Sequence, residues 1–317
     1  MSQPLIAEPT AVENHAQLME GRPVETMRAI IWRQFRRHPA AIAASSVLLV
    51  IVLTSVLAQW WWPHDPEAVS VMNRFEPPSL AHPMGTDRIG RDTLARVLYG
   101  GRISLSVGLL AMVTATLIGT VVGGVAGYYG GIVDGVLMRL TDFFLCFPRL
   151  FILILLSFLL RETNIPFLQG GVAPIVLVIG VMSWMMVARL VRAVFLSIKQ
   201  AEFVTAAHAY GASDARIMFG HILPNSVGPI IVNATMGIAW AILSESGLSF
   251  LGYGVLPPTP SWGNILSDAQ ESMSLYPWVA IFPGFMIFVT VICINFIGDA
   301  LRDALDPYKV VGLQRGQ

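Results

Sequence analysis

Six apolar stretches, each long enough to cross a bilayer, leave this chain few folds to choose from. They cover residues 40–62, 103–128, 136–160, 172–191, 227–248 and 278–298. A helix needs about 20 mostly apolar residues to span the hydrocarbon core. With no water in that core, backbone N–H and C=O groups must be satisfied inside the segment, so runs of this length fold as helices. Charged residues make up only 13% of the 317, against about 25% in a soluble domain. The expected class is therefore an all-α integral membrane protein. A formal net charge of zero gives no reason to expect a nucleic-acid partner. Cys146 and Cys293 both lie in apolar runs and read as small core hydrophobes.

The distribution of Lys and Arg sets an expected orientation. Residues 1–39 form a polar arm, expected to be partly disordered, that carries Arg22, Arg28, Arg33, Arg36 and Arg37. The arm holds no apolar core of the signal-peptide kind. Positive charge is retained on the cytoplasmic side. With the arm inside, the cytoplasmic segments also hold Arg189, Arg192, Lys199, Arg216 and the tail 301–317, while the loop 252–277 holds no Lys or Arg. The loop 63–102 carries several arginines that its acids nearly balance. It is long enough to weaken the rule and is placed outside. Trp60, Trp61 and Trp62 close the first span as an aromatic belt. Both termini are thus expected in the cytoplasm, with residues 103–300 as a five-helix core.

Between the fourth and fifth spans the loop 193–226 holds a polar segment, residues 202–224, that a lipid-embedded chain has no evident reason to build unless something soluble docks on it. Residues 201–210 read as a short helix that Gly211 ends. Ser213 or Asp214 is placed to cap a second one, and Pro224 is expected to break the chain before the fifth span. Ala206 and Ala207 would leave a shallow face. In the second span Gly119, Gly123 and Gly127 recur at helical i, i+4 spacing and read as a close-packing face. No G-x-x-x-x-G-K-[ST] run occurs, so no phosphate loop is expected in the chain.

The polar segment resembles the EAA loop of ABC-importer permeases. Ala206, Ala207, Gly211, Leu223 and Pro224 match that motif in register, while Thr205 stands at its Glu position and His221 at its Ile position. Glu202 lies one helical turn before Thr205. Over residues 28–308 the chain looks like the second permease subunit of dipeptide, oligopeptide and nickel importers. The supporting runs are His82-Pro83-Met84-Gly85-Thr86-Asp87, then Gly90-Arg91-Asp92, Gly101-Arg102-Ile103-Ser104-Leu105 and Gly127-Tyr128-Tyr129-Gly130-Gly131. Further matches are Leu248-Ser249-Phe250-Leu251-Gly252, Pro260-Ser261-Trp262-Gly263 and Leu305-Asp306-Pro307.

The resemblance implies a type I ABC-importer permease of a bacterial inner membrane, multi-pass, forming half of a translocation path. It implies four kinds of partner: a second homologous permease, two cytoplasmic ATPase subunits, an extracytoplasmic solute-binding protein and the lipid bilayer. ATP and Mg would be bound by the ATPases, so the chain needs no cofactor and is no enzyme. Peptides are the default solute, with nickel chelates, glutathione or opines as the alternative. The implied coupling residues are Glu202, Thr205, Ala206, Ala207, Gly211, Asp214, His221, Leu223 and Pro224.

Other polar residues carry more than one reading. His82, Gly85, Asp87, Gly90, Arg91 and Asp92 suit a turn held by caps and ion pairs, with no metal expected. Glu245 and Arg149 lie deep in apolar spans, where an ionisable group should face a watery path or find a partner. Both are candidates for a translocation path, and a hydrogen-bonded Glu245 near the outer end is the other reading. Asp142 is expected to pair with Arg139, one turn before it, and Pro148 to kink the third span. A secondary transporter would more often show paired intramembrane acids. A membrane enzyme would need an H-E-x-x-H or G-x-S-x-G constellation, and neither occurs.

Overall fold

Tertiary structure was analysed in a computed structural model, which describes residues 27–163, 165–168 and 171–305. Residues 1–26 and 306–317, which hold most of the arm and tail, lie outside the described residues. Every regular element among those described is helical. A short α1 (Met27–Arg36) leads into α2 (Pro39–Trp61), with Pro at the first turn, where its missing N–H costs nothing. The third helix, α3 (Thr93–Tyr129), starts about ten residues before its apolar run because Asp92 caps it, its side chain accepting the Ala95 N–H at 2.6 Å. Residues 93–102, expected in the loop, are therefore its first turns. Next come α4 (Gly131–Leu145), α5 (Arg149–Arg161) and α6 (Ala173–Lys199).

The third expected span is broken. Its halves α4 and α5 meet at 88° around Cys146, Phe147 and Pro148. Pro148 removes a backbone donor, and its ring cannot follow a helical carbonyl. The angle is sharper than a kink. Cys146 is exposed at this corner rather than in the core, whereas Cys293 is buried. Five other helices are long and apolar enough to span, and counting the bent pair as one span gives six.

After the short α7 (Glu202–Ala209) and α8 (Asp214–Ile217), the chain runs through a π-helical turn, Met218–Ile222, into α9 (Leu223–Phe250). Pro224 does not break this run, which is helical from Asp214 to Phe250. The wide turn just before it takes up the missing N–H and the ring clash that a regular α-turn could not. A capped α10 (Trp262–Ala269) and the final α11 (Trp278–Leu305) complete the chain.

The core lies where α3 packs along α6. A Cβ on Gly119 would stand 2.5 Å from the Val187 Cβ, on Gly123 2.3 Å from the Ala188 carbonyl, and on Gly127 2.7 Å from the Phe195 Cβ. The expected small face is thus pressed against backbone, the only way two helices come this close in lipid. Outward faces of the long helices expose Leu49, Val50, Leu117, Val121, Phe285 and Phe288, as a lipid-facing surface does.

Gly123→Ala should destabilise the protein by about 1–3 kcal/mol through overpacking. Gly135→Ala, where a Cβ meets nothing within 4 Å, should be tolerated. Thermal unfolding of both variants in detergent tests this; equal melting temperatures would contradict the packing account.

Candidate functional site

The two ends of α3 carry the two polar features of the molecule, roughly 50 Å apart by helical rise. At its C-terminal end sits a surface knob. Helix α7 closes with the Gly211 N–H on the His208 carbonyl at 2.9 Å and the Ala212 N–H on the Ala207 carbonyl at 3.1 Å. That pair of bonds is a Schellman motif, and it places Gly211 at φ +75°, where a β-carbon is strained. Ser213 takes the N-cap position of α8, but its side chain makes no capping bond.

The knob is braced from beneath. The Tyr128 hydroxyl donates to Asp214 Oδ1 at 2.7 Å. Lys199 donates to the Tyr128 carbonyl and lies 5.3 Å from that ring's centroid. Val204, Ile217 and Ile222 are fully buried. Two bridges at the same end, Arg192 to Asp134 and Arg189 to Asp142, tie α4 to α6. Asp142 therefore pairs across helices with Arg189 and not with Arg139 one turn away, because Arg189 projects from the neighbouring α6 toward it.

What remains outward is an uncovered face: Glu202, Phe203, Thr205, Ala206, Tyr210, Gly211 and Phe219 are exposed, Tyr210 at 92%. Ala207 and Leu223 instead turn half-inward onto the core, so Ala206 alone of the alanine pair contributes to a shallow surface. His221 is half-buried in the π-helical turn, and Pro224 is exposed.

At the N-terminal end of α3 the residues 85–92 fold into a clasp. Gly85 and Gly90 adopt φ of +69° and +80°, and a Cβ on Gly90 would lie 1.8 Å from the Ser70 carbonyl oxygen. Arg91 Nε donates to Asp87 Oδ2 at 2.6 Å, and Arg96 Nη1 to the same oxygen at 2.8 Å. Both guanidinium groups also reach Asp268 Oδ2, at 2.9 and 3.0 Å, which fastens the loop to α10. Burial pushes the Asp87 carboxyl up, but Arg91 and Arg96 outweigh it and hold the group below its ordinary range. His82 Nδ1 lies 2.7 Å from Asp92 Oδ2.

Glu245, on α9, is fully buried. It accepts from Ser104 at 2.8 Å and from Ser249 at 2.6 Å, while Ser104 accepts the Trp262 N–H at 3.2 Å. This carboxylate thus links α3, α9 and the start of α10. Arg149 opens α5 beyond the break and donates to Ser183 of α6 at 2.9 Å. Among the described residues Arg149 and Glu245 share no partner. The sequence reading missed Tyr128, Lys199, Asp268 and the serines around Glu245. Tyr128, Lys199, Asp268 and Ser104 act through neighbours distant in sequence, and the motif runs that contain Tyr128, Ser104 and Ser249 give no hint of their bonds.

A helical membrane protein with a braced surface helix–turn–helix is the class that this fold defines. The chain matches the family model "Binding-protein-dependent transport system inner membrane component" over residues 119–310 and "N-terminal TM domain of oligopeptide transport permease C" over residues 26–78. It is 40% identical over 235 residues to the dipeptide transport system permease protein DppC of Alkalihalophilus pseudofirmus, covering 74% of this chain and 75% of that protein. It is 39% identical over 291 residues to the glutathione transport system permease protein GsiD of Pectobacterium atrosepticum, covering 92% and 94%. Among solved structures, the MetNI methionine ABC transporter in inward-facing conformations superposes with a TM-score of 0.53 at 20% identity, over 67% of this chain and 97% of that one. The chain belongs to the binding-protein-dependent transport system inner membrane component family, and is an ABC-importer permease of a bacterial inner membrane.

The lowered Asp87 pKa adds stability above the ordinary carboxylate range, near 3.9, and that stability is lost as pH falls through the lowered value. Asp87→Asn should cost about 3–5 kcal/mol by leaving buried guanidinium charge under-paired. Tryptophan-monitored unfolding in detergent should show a flatter acid limb below about pH 4; an unaltered profile would sink the account.

Proposed function

We propose that this permease forms half of a translocation path for short peptides, and that the knob over residues 202–224 receives the motion of a cytoplasmic ATPase subunit. One observation carries the reading. The knob keeps an exposed, largely uncharged face while its opposite side is fixed to α3 by the Tyr128–Asp214 bond, and Lys199 of α6 in turn holds Tyr128. A surface built to transmit force needs both properties. It must be open to a partner and unable to move independently of the spans behind it. Pro224 within a continuous helix strengthens the case, since displacement of the knob passes directly into α9.

Orientation follows from charge. Arg189, Arg192, Lys199 and Arg216 cluster at the knob end, which supports placing that end and both termini in the cytoplasm and the clasp outside. There the clasp would meet a solute-binding protein. A second, homologous permease would complete the path, and the ATPases would supply ATP and Mg chemistry. Arg149, exposed beside the break between α4 and α5 and bonded to Ser183, is the path residue of choice. The full burial of Glu245 favours a strut over a path lining. The solute class rests on the dipeptide and glutathione permeases to which the chain is similar, both of which handle peptides.

Gly211→Val should leave membrane insertion and assembly intact but lower ATP-driven uptake of labelled di- and tripeptides by at least about tenfold, since a β-branched residue strains φ +75°. The assay is reconstitution in vesicles with the ATPases and binding protein. Normal uptake by the assembled variant would refute the coupling role, and uptake by the unmodified chain without ATPases would refute the importer reading.

A further inference from the structure

Beside the clasp, three metal-ligating side chains converge from separate segments. His64 follows the end of α2, His82 lies in the loop, and Asp92 caps α3. Each offers one ligand atom, and the three atoms all lie within 4.8 Å of one another. Bonds from zinc to imidazole nitrogen or carboxylate oxygen are about 2.0–2.2 Å, so donors around one ion stand about 3–4 Å apart. His82 Nδ1 and Asp92 Oδ2 stand 2.7 Å apart and no pair of the three ligand atoms exceeds 4.8 Å, which brackets that spacing.

The surroundings divide the roles of the two Asp92 oxygens. Oδ1 is committed, accepting the Ala95 N–H at 2.6 Å and the Trp62 Nε1–H at 3.1 Å. Oδ2 faces His82 Nδ1. A ligating carboxylate whose other oxygen is fixed by hydrogen bonds is the usual outer-shell arrangement of a metal site. The His64 ring packs between Trp62 and His82, with centroids 5.5 and 5.0 Å away, and makes no hydrogen bond among the described residues. Its nitrogens are therefore uncommitted, and the aromatic contacts hold the ring against His82. His64 also lines an open cavity of about 580 Å³, together with Asp65, Glu67, Tyr99 and Arg102. That cavity is an entry path for an ion and leaves room for water or another donor at a fourth position.

We propose that His64, His82 and Asp92 bind one divalent transition-metal ion. Two imidazoles and one carboxylate select zinc, nickel or copper over magnesium and calcium, which take oxygen donors. The bound ion pins the end of α2, the intervening loop and the start of α3 to one another, next to the arginine–aspartate clasp. The site is independent of the transport reading, because its ligands are far from the knob and its test does not use transport. A sequence reading passes over it because His64 is distant from the His82 motif and stands in no ligand spacing.

The test uses the full-length chain, purified in detergent without a polyhistidine tag and stripped of metal, titrated calorimetrically with Zn²⁺. The expected result is saturable binding of one ion per chain, not displaced by excess Mg²⁺. His64→Ala and His82→Ala should each weaken it by at least about tenfold, and His38→Ala, remote on the α1–α2 corner, should not. Zn²⁺ should also raise the melting temperature of the unmodified chain and not that of His64→Ala, a variant that removes no hydrogen bond among the described residues. Absence of saturable binding, or binding that persists unweakened in either ligand variant, overturns the proposal.

Discussion

The approach of α3 to α6 at backbone distance is the constraint on which the rest of the molecule depends. Gly119, Gly123 and Gly127 put no side chain of α3 between the two helices, and in lipid such contact must come from van der Waals packing without help from water. Once the two are locked, their ends are locked too. Tyr128 and Lys199, the last turns of the pair, then meet in the one arrangement that can brace Asp214. The knob is stiff because the helices beneath it are in register.

The opposite end depends on α3 in a different way. There the helix begins among buried charges, and burial of a charge is tolerable only when it is paired and hydrogen-bonded. Arg91 and Arg96 are nearly inaccessible, and two aspartates from separate segments answer them. The pairing makes α10 a fixed part of this face although the chain reaches it only after three further spans. Glu245 does comparable work deeper in the bundle, where three serines and the Trp262 backbone converge around it.

Much of this was legible beforehand because it is local. Span lengths, the glycine face, the Gly211 turn and the position of Pro148 depend on residues within a few turns of one another. Errors arose where a local rule met a distant partner. Asp142 has Arg139 on its own helix, but the free energy of an ion pair depends on geometry, and Arg189 from α6 offers it. Pro224 should end a helix by the local rule, yet a π-helical turn absorbs its ring. Cys146 belongs to an apolar run but sits on an 88° corner and is exposed.

The sequence by itself determined the class of molecule, the approximate spans and the family, because apolar length and motif spacing are properties of the chain before it folds. Only the tertiary structure decided which side of Ala206–Ala207 faces out, that Glu245 is held by serines, and that His64 stands beside His82 and Asp92. Those outcomes depend on how helices from distant parts of the chain are rotated against each other. That rotation is set by side-chain packing over the whole bundle, which no single segment encodes.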